Sequence, residues 1–194
     1  IQVGPESAGA DPGPACYGRG GTHPAVTDAN LSLGRYEPNL FAGGSLPLKP
    51  ALSRAALAEH VGSKLGLSGD MAGLGVVEMV DENMANAARV HAIESGKGYE
   101  GRIVIAFGGG GPVHGYRVAE KIGVKRMLVP SGAGVGSAIG FLRAPVAYEV
   151  VKSLYQRFGT FDLKAVNALL ASMSAEATKV VAEGAFDAPV EETR

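Results

Sequence analysis

A strand-like run that ends in four consecutive glycines constrains this chain more than any other feature. The β-branched and apolar run 103–107 predicts a strand, and Gly108–Gly111 follow it directly. Pro112 fits the first turn of a helix, where its missing N–H costs nothing. Such a junction presents bare N–H groups and the positive end of a helix dipole to a flat or anionic ligand. The pattern therefore indicates a nucleotide-binding turn.

Glycines also serve chain reversal alone at many strand-to-helix turns. Four in succession exceed that need, because each glycine costs up to about 1 kcal/mol in backbone entropy. His114 lies in the helix turn that follows, where the dipole disfavours its protonation and its ring can donate or accept toward a ligand. The residues expected to contact the ligand are Gly108, Gly109, Gly110, Gly111, Pro112 and His114.

A second stretch of the sequence repeats this pattern of strand, glycine-rich turn and helix. A predicted strand over 124–129 leads through the glycine-rich stretch 131–136 into a short helix around 137–142. Alternation of this kind predicts an α/β sheet with ligands at the carboxyl ends of its strands. The β-branched residues of 145–154 predict one further strand.

The helices are predicted from caps and apolar spacing. Ser53 is expected to cap a short helix that reaches about residue 65, and Ser68 or Asp70 to open a longer one to about residue 95. Gly96 ends that longer helix. Asp162 is expected to begin a final helix with an apolar stripe, which would suit docking onto another lobe or subunit.

The density of turn-forming residues divides the chain into three predicted segments. Residues 1–50 are rich in glycine and proline and form a loop-rich segment contributing to the cleft. Residues 51–155 form an α/β nucleotide-binding lobe, and residues 156–194 a C-terminal helix and tail, frayed or cut after Phe186. Because the chain opens at Ile1, apparently within structured sequence, we expect a fragment or a processed product.

Asp28 and Asn30 leave two interpretations open. Thr27 or Asp28 could cap a short helix. As a carboxylate and an amide, Asp28 and Asn30 could also hold a hydrated Mg²⁺ near phosphates, since Mg²⁺ prefers oxygen ligands and keeps its waters. No catalytic residue can be named from the sequence.

Composition and missing motifs exclude several classes of protein. A formal net charge of −1 provides no field that would attract nucleic acid or an anionic membrane. No apolar run is long enough to span a bilayer, and the single Cys16 rules out an internal disulfide, so a cytoplasmic location is the expectation. Neither G-x-x-x-x-G-K-[ST] nor G-x-G-x-x-G can be read at the glycine clusters. A P-loop is excluded and a redox dinucleotide domain is disfavoured.

Three separate motifs together resemble one known family. They are Val3-Gly4-Pro5-Glu6-Ser7-Ala8-Gly9-Ala10-Asp11-Pro12-Gly13-Pro14-Ala15-Cys16-Tyr17-Gly18, then Thr27-Asp28-Ala29-Asn30-Leu31, then Ala106-Phe107-Gly108-Gly109-Gly110-Gly111-Pro112-Val113-His114. In this order they closely resemble the hydantoinase A/oxoprolinase family, over about residues 1 to 155. That family includes ATP-dependent N-methylhydantoinase, 5-oxoprolinase and subunits of acetone and acetophenone carboxylases.

The resemblance implies one lobe of an actin-like ATPase (ribonuclease H-like) fold, with Gly108–Gly111 as the adenosine-binding turn. The family's two phosphate loops precede the part matched here, so the chain resembles a C-terminal lobe fragment, expected to be inactive alone. The implied activity is ATP-dependent hydrolysis of a cyclic amide whose carbonyl is activated by phosphorylation. The implied partners are the N-terminal lobe and a hydantoinase B-like subunit or domain. Alternatives are a subunit of a ketone carboxylase or a non-catalytic assembly module.

Overall fold

The computed structural model describes residues 1–185 and 189–193, and the chain divides into two compact units, Ile1–Ser137 and Ala138–Arg194. The three segments inferred from the sequence have other boundaries, at 50 and 155.

Described α-helices are α1 (Val26–Ser32), α2 (Pro50–Leu57), α3 (Ser63–Leu65), α4 (Gly69–Glu94), α5 (Gly111–Lys121), α6 (Gly136–Arg143) and α7 (Leu163–Gly184). A π-helical turn, Ala58–Gly62, joins α2 to α3. Within the described ranges, no helix is long and apolar enough to cross a membrane.

Two short parallel strands confirm the repeated strand-turn-helix units. β1 (Val104–Ile105) pairs with β2 (Met127–Leu128), with Val104 opposite Met127. Both strands are shorter than the sequence predicts. The further strand predicted over 145–154 is wrong, because in the described part of the chain those residues pair with no strand. β-branched composition alone does not form a strand without a neighbour that supplies hydrogen bonds.

The core of the first unit lies between α1, α2 and α4. Its buried members are Ala29, Leu57, Ala72, Val76 and Val77. Gly73 lies where α4 crosses α1, and a Cβ added there would stand 2.5 Å from Ser32 Oγ. The close approach of the two helices thus depends on a residue without a side chain.

The caps predicted for α4 are confirmed. Ser68 Oγ accepts a hydrogen bond from the Met71 N–H at 3.3 Å, and Gly96 past the helix end has φ of +60°. Helical spacing in the sequence predicts an apolar stripe on α4 at Leu74, Val77, Val80, Met84, Ala87 and Val90. This stripe is only partly right, because Leu74, Met84 and Val90 are exposed. The buried face instead consists of Ala72, Gly73, Val76, Val77, Asp81 and Ala85.

The predicted capping role of Ser53 is wrong. The α2 helix begins three residues earlier, at Pro50, a residue suited to a first helical turn. Ser53 is therefore inside α2, fully buried, and its hydroxyl donates to Asp28 Oδ1 at 2.9 Å. It connects α2 to α1 rather than starting a helix.

The second unit is built around α7. Asp162 caps it as predicted, accepting from the Ala165 N–H at 3.0 Å. The less exposed face of α7 follows the predicted stripe, at Val166, Leu170, Met173, Ala177 and Val181. With segment 145–150 and residues 189–193 this face lines a cavity of about 1250 Å³. The tail predicted after Phe186 lies partly outside the described residues.

Candidate functional site

The candidate site lies where β1 and β2 end. Parallel neighbours bring their carboxyl ends to one edge, so the glycine turn 108–111 and the second turn 131–136 are adjacent. A backbone hydrogen bond of 2.7 Å from the Gly108 N–H to the Ala133 carbonyl joins them. The two turns thus form one continuous stretch of backbone at the edge of the sheet.

The first turn is open. Gly109 and Gly110 are exposed, and a Cβ added at Gly108, Gly109 or Gly110 would have no atom within 4 Å. Gly108 has φ of +89°, a conformation that side-chain-bearing residues rarely adopt. The turn has the bare, accessible main chain that the sequence predicts for a ligand-binding turn. Contact between these glycines, Pro112 and a ligand stays a prediction.

His114 joins three helices. Its ring belongs to α5 and is only 7% exposed. Nδ1 lies 2.6 Å from Asp81 Oδ1 on α4, and Nε2 lies 3.0 Å from Asn30 Nδ2 on α1. Asn30 Oδ1 in turn accepts from the Arg35 guanidinium at 3.4 Å. A buried polar chain therefore runs from α4 through α5 to α1.

The partners of the ring assign its tautomer. The Asp81 carboxylate only accepts, so the proton belongs on Nδ1. The Arg35 contact turns the amide oxygen of Asn30 away from the ring, so Nδ2 donates to an unprotonated Nε2. Both ring nitrogens are thereby occupied within the protein. The expected direct contact of His114 with a ligand stays a prediction. The contacts found connect α5 to α4 through Asp81 and to α1 through Asn30.

Asp28 is a hydrogen-bond acceptor for three parts of the first unit. It is fully buried; Oδ1 accepts from the Cys16 N–H at 2.8 Å and from Ser53 Oγ, and Oδ2 accepts from the Ala25 N–H at 2.8 Å. The prediction that Thr27 or Asp28 is the cap residue is wrong, because α1 begins at Val26 and Ala25 occupies the cap position. Asp28 instead caps the helix start from the third helical position, by accepting from the Ala25 N–H.

This arrangement does not fit an Mg²⁺ site at Asp28 and Asn30. Mg²⁺ needs free carboxylate or amide oxygens and keeps several of its waters. Here the oxygens already accept from protein donors, and both residues are buried. Within the described residues, no group of three or more His, Cys, Asp or Glu could hold a metal ion. The metal role of the pair stays a prediction.

Burial, together with the neighbouring Asp28 carboxylate, makes Cys16 chemically inert. Burial raises the pKa of the Cys16 thiol to about 12, and the charge of Asp28 adds to that increase. The thiolate is the reactive form of cysteine, so a thiol with so high a pKa stays protonated and unreactive at neutral pH. Cys16 is a small core residue, packed with Leu31 and Leu48.

Asp81 is the site residue that sequence reasoning missed. It is fully buried, and its Oδ2 accepts no hydrogen bond from any described residue. The available signal is its register on α4, since Val77 lies four residues before it and Ala85 four residues after, and both are buried. A carboxylate in the apolar register of a helix usually has a specific partner.

Ion pairs strengthen the contact between α4 and α5 away from the glycine turn. Glu78 accepts from Arg117 at 2.7 Å and from Lys121 at 3.0 Å, and Glu82 accepts from Lys121 at 3.1 Å. Hydrogen bonds from Lys121 and Arg117 lower the pKa of Glu78, and all three side chains are only partly buried. Exposed pairs contribute little individually.

A mixed α/β unit with open glycine turns at the ends of parallel strands is typical of proteins that bind a ligand at that edge. The family model Hydantoinase/oxoprolinase matches residues 1–150, and the chain belongs to this family. Caprolactamase subunit alpha of Pseudomonas jessenii is 37% identical over 174 residues, covering 88% of this chain. 5-oxoprolinase PfmaA of Pestalotiopsis fici is 35% identical over 169 residues, covering 82%.

A solved structure of similar fold is nucleotide-free acetone carboxylase, from a study of ATP-dependent acetone carboxylation. Its TM-score is 0.73 at 31% identity, over 95% of this chain. The chain spans 26% of that structure, 25% of the caprolactamase subunit and 13% of the oxoprolinase. It therefore corresponds to about a quarter or less of each of these relatives.

Proposed function

We propose that this chain is the adenosine-binding part of an actin-like ATPase lobe in an enzyme that uses ATP to hydrolyse a cyclic amide. The observation that carries the proposal is the open turn at Gly108–Gly110, which has free space above the backbone. A purine ring can stack against such a turn because no Cβ separates it from the peptide planes. The family membership and the relatives named caprolactamase and 5-oxoprolinase support the cyclic amide as substrate.

The proposed reaction begins with transfer of the γ-phosphoryl group of ATP to the amide oxygen, which releases ADP. Water then attacks the activated carbon, and the ring C–N bond breaks as the nitrogen takes up a proton, which leaves an acyl phosphate. A second water hydrolyses this acyl phosphate to the carboxylic acid and phosphate. In this scheme the present residues bind and orient the adenosine. The groups that bind the phosphates and the substrate belong to polypeptide outside this sequence. Part of that polypeptide is a hydantoinase B-like partner. Closure around the nucleotide would exclude water from the first step.

The turn is tested by Gly109→Val in the full-length protein. A Cβ added at Gly109 meets no protein atom within 4 Å, so the fold should tolerate a valine that enters the space left for a ligand. We expect the dissociation constant for ATP, measured by calorimetry, to rise about tenfold or more, as loss of one good contact would produce. Gly98→Val is the matched control, because Gly98 is also exposed and has no atom near its Cβ position. Unchanged ATP affinity in Gly109→Val would show that the adenosine lies elsewhere.

A second candidate function is favoured by the structural likeness to acetone carboxylase. In that case the phosphorylated oxygen is an enolate and the product is a carboxylic acid. The complete protein, assayed for ATP hydrolysis with its partner subunit, separates the two. Stimulation by lactams or hydantoins supports the amide hydrolase, and stimulation by ketones with bicarbonate supports the carboxylase.

A further inference from the structure

We propose that the chain of contacts Asp81–His114–Asn30 is a positioning element of the nucleotide site. By holding the first turn of α5 against α4 and α1, it fixes the position of the glycine turn 108–111. This inference rests on the proposed function, because it assigns a task at the same turn.

The hydrogen bond from the Gly108 N–H to the Ala133 carbonyl holds the start of the glycine turn, but the side-chain positions of the turn have no packing neighbours. No atom lies within 4 Å of the Cβ positions at Gly108, Gly109 and Gly110, and β1 before it is two residues long. Its position is therefore set largely by the helix that follows. Only three residues of α5 are buried, namely His114, Gly115 and Ala119. Of these, His114 has by far the largest side chain and lies nearest the turn.

The contacts of His114 are directional. Nδ1–H points at Asp81 on one side and Nε2 accepts from Asn30 on the other, so the ring cannot shift without losing one bond. The Asn30 contact joins residues 84 positions apart and connects α5 to the segment that also contains Asp28. A buried apolar residue would fill the same space but would permit sliding, because packing contacts have no preferred direction.

The test uses Asn30→Leu and His114→Phe in the full-length enzyme. Asn30→Leu removes the contact with α1 and leaves the pair of His114 and Asp81 intact, so it remains informative if His114→Phe does not fold. We expect the dissociation constant and KM for ATP to rise about fivefold to tenfold, the usual effect of one lost hydrogen bond, while kcat changes less than twofold. Amide hydrogen exchange of residues 108–113 should also become faster.

Lys121→Met is the control. It breaks the ion pairs to Glu78 and Glu82 at the far end of α5 and should leave the affinity for ATP unchanged. A lower unfolding temperature with unchanged ATP affinity and unchanged exchange in Asn30→Leu would show a purely structural role and overturn the inference.

The variant Gly109→Val is measured in parallel so that the two proposals fail separately. If Gly109→Val weakens ATP binding and Asn30→Leu does not, only the positioning role is wrong. If neither variant affects ATP binding, the nucleotide assignment of the turn is wrong as well.

Discussion

At the scale of single residues, the polar groups buried in the first unit connect distant parts of the chain. Asp28 accepts hydrogen bonds from residues before α1, at its start and in α2. His114 is held between α4 and α1. Buried polar groups are costly unless they are paired, so each of these contacts selects one arrangement of the helices.

Replacing Asp28 by asparagine should destabilise the chain strongly. The amide keeps one acceptor oxygen but turns an NH₂ group toward an N–H or hydroxyl that needs an acceptor. We expect a loss of about 2–4 kcal/mol in the free energy of unfolding, measured with denaturant, because charged buried hydrogen bonds are lost.

Asp70→Asn is the matched control, since Asp70 is exposed and, among the described residues, its side chain pairs with Arg54 alone. It should change the free energy of unfolding by less than about 1 kcal/mol. Stability of Asp28→Asn equal to that of the control would contradict the capping role. A loss of stability that appears only with Mg²⁺ present would favour the metal role instead.

At the scale of elements, helix α4 organises the first unit. Its buried face contacts α1 and α2, and its polar face carries the ion pairs to α5. The crossing with α1 depends on Gly73, where an added methyl would stand 2.5 Å from Ser32 Oγ and 3.4 Å from Leu57 Cδ1.

Gly73→Ala should therefore destabilise the chain by about 1–3 kcal/mol, because the helices must separate to admit a methyl group. The control is Gly140→Ala, in the exposed interior of α6, where no atom lies within 4 Å of the Cβ position. There alanine should raise the free energy of unfolding by about 0.5–1 kcal/mol, since it lowers the backbone entropy of the unfolded chain. Thermal or denaturant unfolding of both variants measures the difference, and equal effects would contradict the close packing.

At the scale of the whole molecule, the described chain exposes many large apolar side chains. Phe141, Leu142, Tyr155 and Phe158 in the second unit are each more than 80% exposed. Exposed apolar residues on this scale are typical of surfaces that contact other polypeptide. This agrees with a chain that spans about a quarter of the caprolactamase subunit.

We expect the isolated 194-residue chain to bind a hydrophobic dye, to self-associate and to show no turnover of ATP. The full-length protein with its partner should lack the dye binding and hydrolyse ATP when a substrate is supplied. Fluorescence, light scattering and phosphate release measure these properties. Robust ATP turnover by the isolated chain would contradict the proposal that the groups binding the phosphates and the substrate lie outside it.

Local signals in the sequence determined the order of elements. Ser68, Gly96 and Asp162 predicted helix ends because capping and positive φ depend on a few neighbouring atoms. The glycine turn was readable for the same reason. Only tertiary structure decided the lengths of the strands, the connecting role of Ser53 and the partners of His114. Those depend on contacts between residues far apart in the chain. Local signals do not specify such contacts, and the register on α4 that marks Asp81 as buried does not name its partner.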